Sequence, residues 1–125
     1  MNNQISRELR ITLLIYAIYS IVYGLLHIIS PETVGAKDPA IERVLGAAVL
    51  AFALGAVLAY LAKEWNKVKI SVFMQAAWMI LYTITMVWGL LTKEIISMAW
   101  PPAIIGAIFA LLFTIFYISE EKRNK

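Results

Sequence analysis

The chain contains one histidine, His27, and no cysteine. An imidazole can gain or lose a proton near neutral pH, or ligate a metal, and its neighbours decide which. On a helix, Tyr16, Tyr19, Ser20, Tyr23 and His27 follow i, i+3, i+4, i+7 and i+11 spacing and share one side. A second series, Ser71, Gln75, Trp78, Tyr82, Thr85 and Gly89, alternates steps of four and three. That is the seam of a packed helix, here in polar and aromatic residues. Buried hydroxyls and amides in lipid need partners, so both faces are expected to turn inward and meet each other or a cavity. Glu42 and Arg43 would lie at the depth of His27 and complete a polar mouth. The candidate ligand-binding set is Tyr16, Tyr19, Tyr23, His27, Arg43, Gln75, Trp78 and Tyr82. The same faces would equally serve to fix a bundle by interhelical hydrogen bonds, at about 0.6 kcal/mol each.

Other chemistry is harder to assemble. A lone histidine makes no metal site, because Glu32 and Glu42 are the only carboxylates nearby and their spacing matches no ligand motif. The absence of cysteine removes disulfides, thiolate ligands and cysteine nucleophiles. No Gly-rich phosphate loop, paired intramembrane carboxylates or Ser-His-Asp set is present, so neither an enzyme nor a cofactor is expected. Coupled transporters keep an ionisable residue at mid-membrane depth, and this chain has none at that depth.

Four such stretches, residues 11–29, 44–62, 70–91 and 99–118, are free of Asp, Glu, Lys and Arg. Each approaches the ~20 residues that cross a bilayer as a helix. The hydrophobic fraction of 62% and mean hydropathy of +0.78 exceed the range of soluble domains. These features predict an all-α, integral membrane four-helix bundle, up-down-up-down, in one transmembrane domain over residues 1–125. Its helices are expected at about 11–29, 40–62, 69–91 and 99–119. Residues 1–10 read as a polar lead into a retained first helix. Ser30-Pro31 should stop that helix. After a loop containing Gly35, Asp38-Pro39 should cap and open the second. Residues 63–69 read as a short basic loop with Trp65 as interfacial anchor, and Trp100-Pro101-Pro102 should open the fourth helix.

Basic residues cluster before the first helix (Arg7, Arg10), between the second and third (Lys63, Lys67, Lys69) and after the fourth (Lys122, Arg123, Lys125). Only Lys37, Arg43 and Lys93 lie elsewhere. The positive-inside rule then places both termini in the cytoplasm, and an even number of crossings agrees by putting them on one side. These basic residues border membrane segments and form no nucleic-acid surface. Attraction to anionic lipid accounts for them.

Small residues give the remaining signal. Ala47, Ala51, Gly55 and Ala59 recur every four residues, and Ala103, Gly106, Ala107 and Ala110 form a second set. Ser20 and Gly24 add to it from the first helix. Such patterns let helix backbones approach in lipid. They suit packing within the bundle, or contact with a second copy or a larger membrane complex through Ala47, Ala51, Gly55 and Ala59.

The segment Gly24-Leu25-Leu26-His27-Ile28-Ile29-Ser30-Pro31 ends the first helix, and Glu42-Arg43-Val44-Leu45-Gly46-Ala47-Ala48 opens the second. This pattern resembles the DoxX-like group of small four-helix membrane proteins, in which an Arg followed by an apolar-apolar-Gly sequence starts the second helix. The resemblance implies a four-helix bundle, with roles in some members linked to respiratory or redox membrane complexes. It carries Arg43 and Gly46 over as landmarks only.

The expected function is a non-enzymatic protein of the cell membrane. It would bind an apolar or amphipathic ligand, lipid- or quinone-like, or act as an accessory subunit. A small oligomeric transporter or channel is the alternative.

Overall fold

The computed structural model describes residues 3–34 and 37–125; Gly35 of the first loop lies outside them. The chain forms α1 (Arg7–Ile29), a 3-10 turn (Pro31–Val34), α2 (Pro39–Ala62), α3 (Trp65–Leu91), a second 3-10 turn (Ser97–Ala99) and α4 (Trp100–Arg123). All four α-helices are long and apolar enough to span a membrane.

Local chemistry sets their ends. Ser6 caps α1, its hydroxyl accepting from the Leu9 amide at 3.3 Å. Pro31 follows the Ser30 C-cap, as the sequence predicts. The Asp38 carboxylate accepts from the Ala40 and Ile41 amides, with Pro39 in the first turn of α2. Trp100-Pro101-Pro102 opens α4.

Three boundaries depart from expectation. α1 begins at Arg7, α4 continues to Arg123, and the expected basic loop 63–69 shrinks to Lys63 and Glu64. Charge ends an apolar span; it does not end a hydrogen-bonded helix. Lys67 and Lys69 stay helical because long side chains can carry their ammonium groups to the interface. Lys63 makes the tight reversal in the left-handed region, at φ 62°.

Trp65 is a second correction: only 1% exposed, it is no interfacial anchor. Its indole N–H donates to the Glu121 carboxylate at 2.9 Å. Around it the chain forms a clasp. The Ile5 amide donates to the Lys63 carbonyl (2.9 Å) and the Trp65 amide to the Asn3 carbonyl (2.7 Å). The Ser6 amide donates to the buried Glu120 carboxylate at 2.8 Å, and Arg123 donates to Glu120 and to the Gln4 carbonyl. The start of α1, the α2–α3 reversal and the end of α4 are thus tied together. Beside them the Arg10 guanidinium lies 5.0 Å above the Tyr60 ring, a cation–π contact.

Above the clasp, Leu9, Leu13, Ala56, Val68, Val72 and Phe113 form a core shared by all four helices. Tyr16 sets its ring edge-on against Phe109 and Phe113, both at 5.1 Å. α1 and α2 meet through two glycines. A Cβ on Gly46 would lie 2.7 Å from the Gly24 carbonyl oxygen, and one on Gly24 would lie 3.0 Å from that of Gly46. α4 meets α3 at Gly106, where a Cβ would strike the Tyr82 ring at 2.9 Å. α2 and α3 are joined by side chains instead. Ser71 donates to the Gly55 carbonyl (3.2 Å), Gln75 to the Phe52 carbonyl (2.8 Å), and Phe52 stacks on Trp78 at 4.7 Å. The outward faces carry exposed Ile, Leu, Val and Phe, a surface made for lipid.

Candidate functional site

The opposite ends of the helices build an open chamber. The end of α1 supplies Tyr23 and His27, and the loop and start of α2 supply Val34, Lys37, Asp38, Ile41, Glu42 and Leu45. The far half of α3 adds Met86, and the α3–α4 connection adds Glu94, Ile95, Ile96 and Ala99. The chamber encloses about 230 Å³, room for several waters or a small polar group. A neighbouring space of about 160 Å³ shares Tyr23, Val34, Ile96 and Ala99 with it, and is closed by Thr33, Met98 and Pro102.

His27 is 3% exposed and is the most deeply buried ionisable group at this end. Its Nδ1 lies 2.8 Å from the Tyr23 carbonyl. A carbonyl only accepts, so Nδ1 carries a proton. Nε2 faces Glu42 Oε2 at 3.3 Å. These two atoms attract only when a proton sits on one of them, so the pair is complementary as imidazolium–carboxylate or as imidazole–carboxylic acid. The Tyr23 ring stacks obliquely on the imidazole at 4.2 Å, and its hydroxyl meets that of Tyr82 at 2.9 Å. α1, α2 and α3 thereby converge on one small cluster.

The residues singled out from the sequence fall into three groups. Tyr23, His27 and Tyr82 are joined directly. Tyr16 and Tyr19 extend the aromatic row towards Phe109, Tyr19 stacking on Tyr23 at 5.6 Å. The space among Tyr16, Tyr19, Tyr23, Trp78 and Tyr82 is only about 20 Å³, enough for about one water. Gln75 and Trp78 turn to α2, and Arg43 turns away from the chamber to donate to the Ile28 carbonyl at 3.3 Å. Lys37, Asp38 and Glu94 line the chamber without having been singled out. Asp38 was legible only as a helix cap, and nothing in the local sequence marks Lys37 or Glu94. Among the described residues no three His, Cys, Asp or Glu side chains group closely enough to hold a metal ion.

Compared with known proteins, the chain matches no family model, no curated protein and no solved structure.

Proposed function

We propose that this is a non-enzymatic membrane protein that holds a small amphipathic ligand in the chamber bounded by α1, α2 and the α3–α4 connection. In this reading the helices run up-down-up-down across the cell membrane, with both termini cytoplasmic and the chamber at the outer surface. The observation that carries it is the contrast within the bundle. The aromatic centre is filled, whereas the chamber is open, and its floor is the buried His27 paired with the part-exposed Glu42, with the Tyr23 ring against the imidazole. The carboxylates of Asp38, Glu42 and Glu94 accept hydrogen bonds, so a donor-bearing head fits there. The tail follows the adjoining space beside Val34, Met98 and Pro102.

Native mass spectrometry of the full chain released from nanodiscs tests this. A reproducible small-molecule adduct is expected, lost in Glu42→Gln and in Ala99→Phe, which puts a ring at the wall common to the two spaces. A chain that carries no adduct in any host membrane, or an adduct indifferent to both substitutions, would overturn it.

A further inference from the structure

We propose that the membrane face of α3 at the clasp end binds one two-chain anionic phospholipid, with its phosphate between Lys67 and Lys69. The inference rests on the helices spanning a bilayer and is independent of the ligand chamber.

Two grooves flank Ile70, which is 70% exposed and stands between them as a ridge. One, of about 570 Å³, runs between α2 and α3 past Ala51, Gly55 and Met74. On the α2 side, Ala51 and Gly55 add little side-chain volume to it, and the Phe52 ring at its edge stacks on Trp78. The other, of about 230 Å³, runs between α3 and α4 past Phe73 and Tyr117. Lys67 borders the first and Lys69 the second. These lysines are two residues apart, so they leave the helix on opposite flanks of Ile70. Their flexible stems let both ammonium groups rise towards one headgroup. From Lys67 to Met74 a helix rises about 10 Å, matching the upper part of an acyl chain.

Charge selects the occupant. Lys67 already contacts Glu64 at 2.6 Å, but an ammonium has three donors and that exposed pair is weak. Lys69 borders the Tyr117 groove, and Lys63 lies in the reversal just before α3. The local excess is positive, which favours a phosphate with no compensating choline. A second copy of this chain seated on α2 would fill one groove, leave the other open and strand Lys67 in a drier contact.

The test is native mass spectrometry of the full chain from nanodiscs holding equal phosphatidylglycerol and phosphatidylcholine. One retained phosphatidylglycerol per chain is expected. Lys67→Gln with Lys69→Gln should lower its preference over phosphatidylcholine about tenfold, whereas Lys122→Gln with Lys125→Gln should not. Ala51→Phe should displace the lipid whatever its headgroup, with an unchanged melting temperature showing an intact fold. Equal retention of the two lipids, an undiminished preference in the double lysine variant, or a lipid-free dimer would overturn the proposal.

Discussion

Gly46→Ala should destabilise the protein and disturb the chamber together. The new Cβ would lie 2.7 Å from the Gly24 carbonyl oxygen, 2.8 Å from Ile28 Cγ1 and 2.9 Å from His27 Cβ. Ordinary C···O approach is about 3.3 Å, so α1 and α2 must part by about 0.6 Å. A gap of that size forfeits about a quarter to a half of each contact's attraction along the seam. Overpacking of this kind costs about 1–3 kcal/mol, and the better helix propensity of alanine returns at most about 1 kcal/mol. With the full offset a net loss of up to about 2 kcal/mol remains, up to about a thirtyfold change in the folded-to-unfolded ratio. Denaturation in mild detergent, followed by circular dichroism, measures it. Gly55→Ala is the comparison, because its Cβ would meet only side-chain ends, Gln75 Nε2 at 3.3 Å and Ser71 Oγ at 3.6 Å. A Gly46→Ala protein as stable as the parent, or no less stable than Gly55→Ala, would refute the close glycine contact as a determinant of stability.

Trp65→Phe keeps an aromatic ring but removes the donor to Glu121 and part of the buried indole volume, and should cost at least about 1.5–3 kcal/mol by the same denaturation assay. Amide exchange at Ile5 and Trp65 should quicken with it, because both amides belong to the clasp. Tyr82→Phe deletes the hydroxyl partner of Tyr23. A stability loss of about 0.6 kcal/mol is expected, together with a change in the ultraviolet absorbance of the remaining tyrosines. Asp38→Ala removes the acceptor for two first-turn amides and should cost about 1 kcal/mol. Helicity by circular dichroism should change little, since only one turn frays.

The four helices were legible because hydrophobic span length and cap chemistry are local. Asp38-Pro39, Ser30-Pro31 and Trp100-Pro101-Pro102 act within a few residues, and they stand where the sequence puts them. The packing faces were less so. A strict run of small residues every four positions drifts about 40° per step around a helix of 3.6 residues per turn. Ala47 and Ala51 are accordingly exposed, Gly55 half-buried and Ala59 buried. The set buried on α2 is Gly46, Val49, Ala53, Ala56 and Ala59, which mixes steps of three and four. At the site, His27 beside Glu42 followed from matched depth. The inward turn of Lys37 and Glu94, and the outward turn of Arg43, depend on loop paths that no local pattern encodes. The clasp was invisible for the same reason, since charged residues at helix ends look solvated until a distant partner is known.

That clasp also bears on how the chain is made. Ser6 and Glu120 are 114 residues apart, and a ribosome adds about 5–20 residues per second, so Ser6 waits about 6–23 s for its partner. During that interval α1 and α2 can already join through their glycines, while the Ser6 amide and the Trp65 indole N–H lack their α4 partners, Glu120 and Glu121. Biogenesis therefore has a built-in last step, in which the arrival of α4 seals a bundle whose first hairpin is already assembled. Until then the unsealed end leaves one backbone amide and one indole N–H without their carboxylate acceptors.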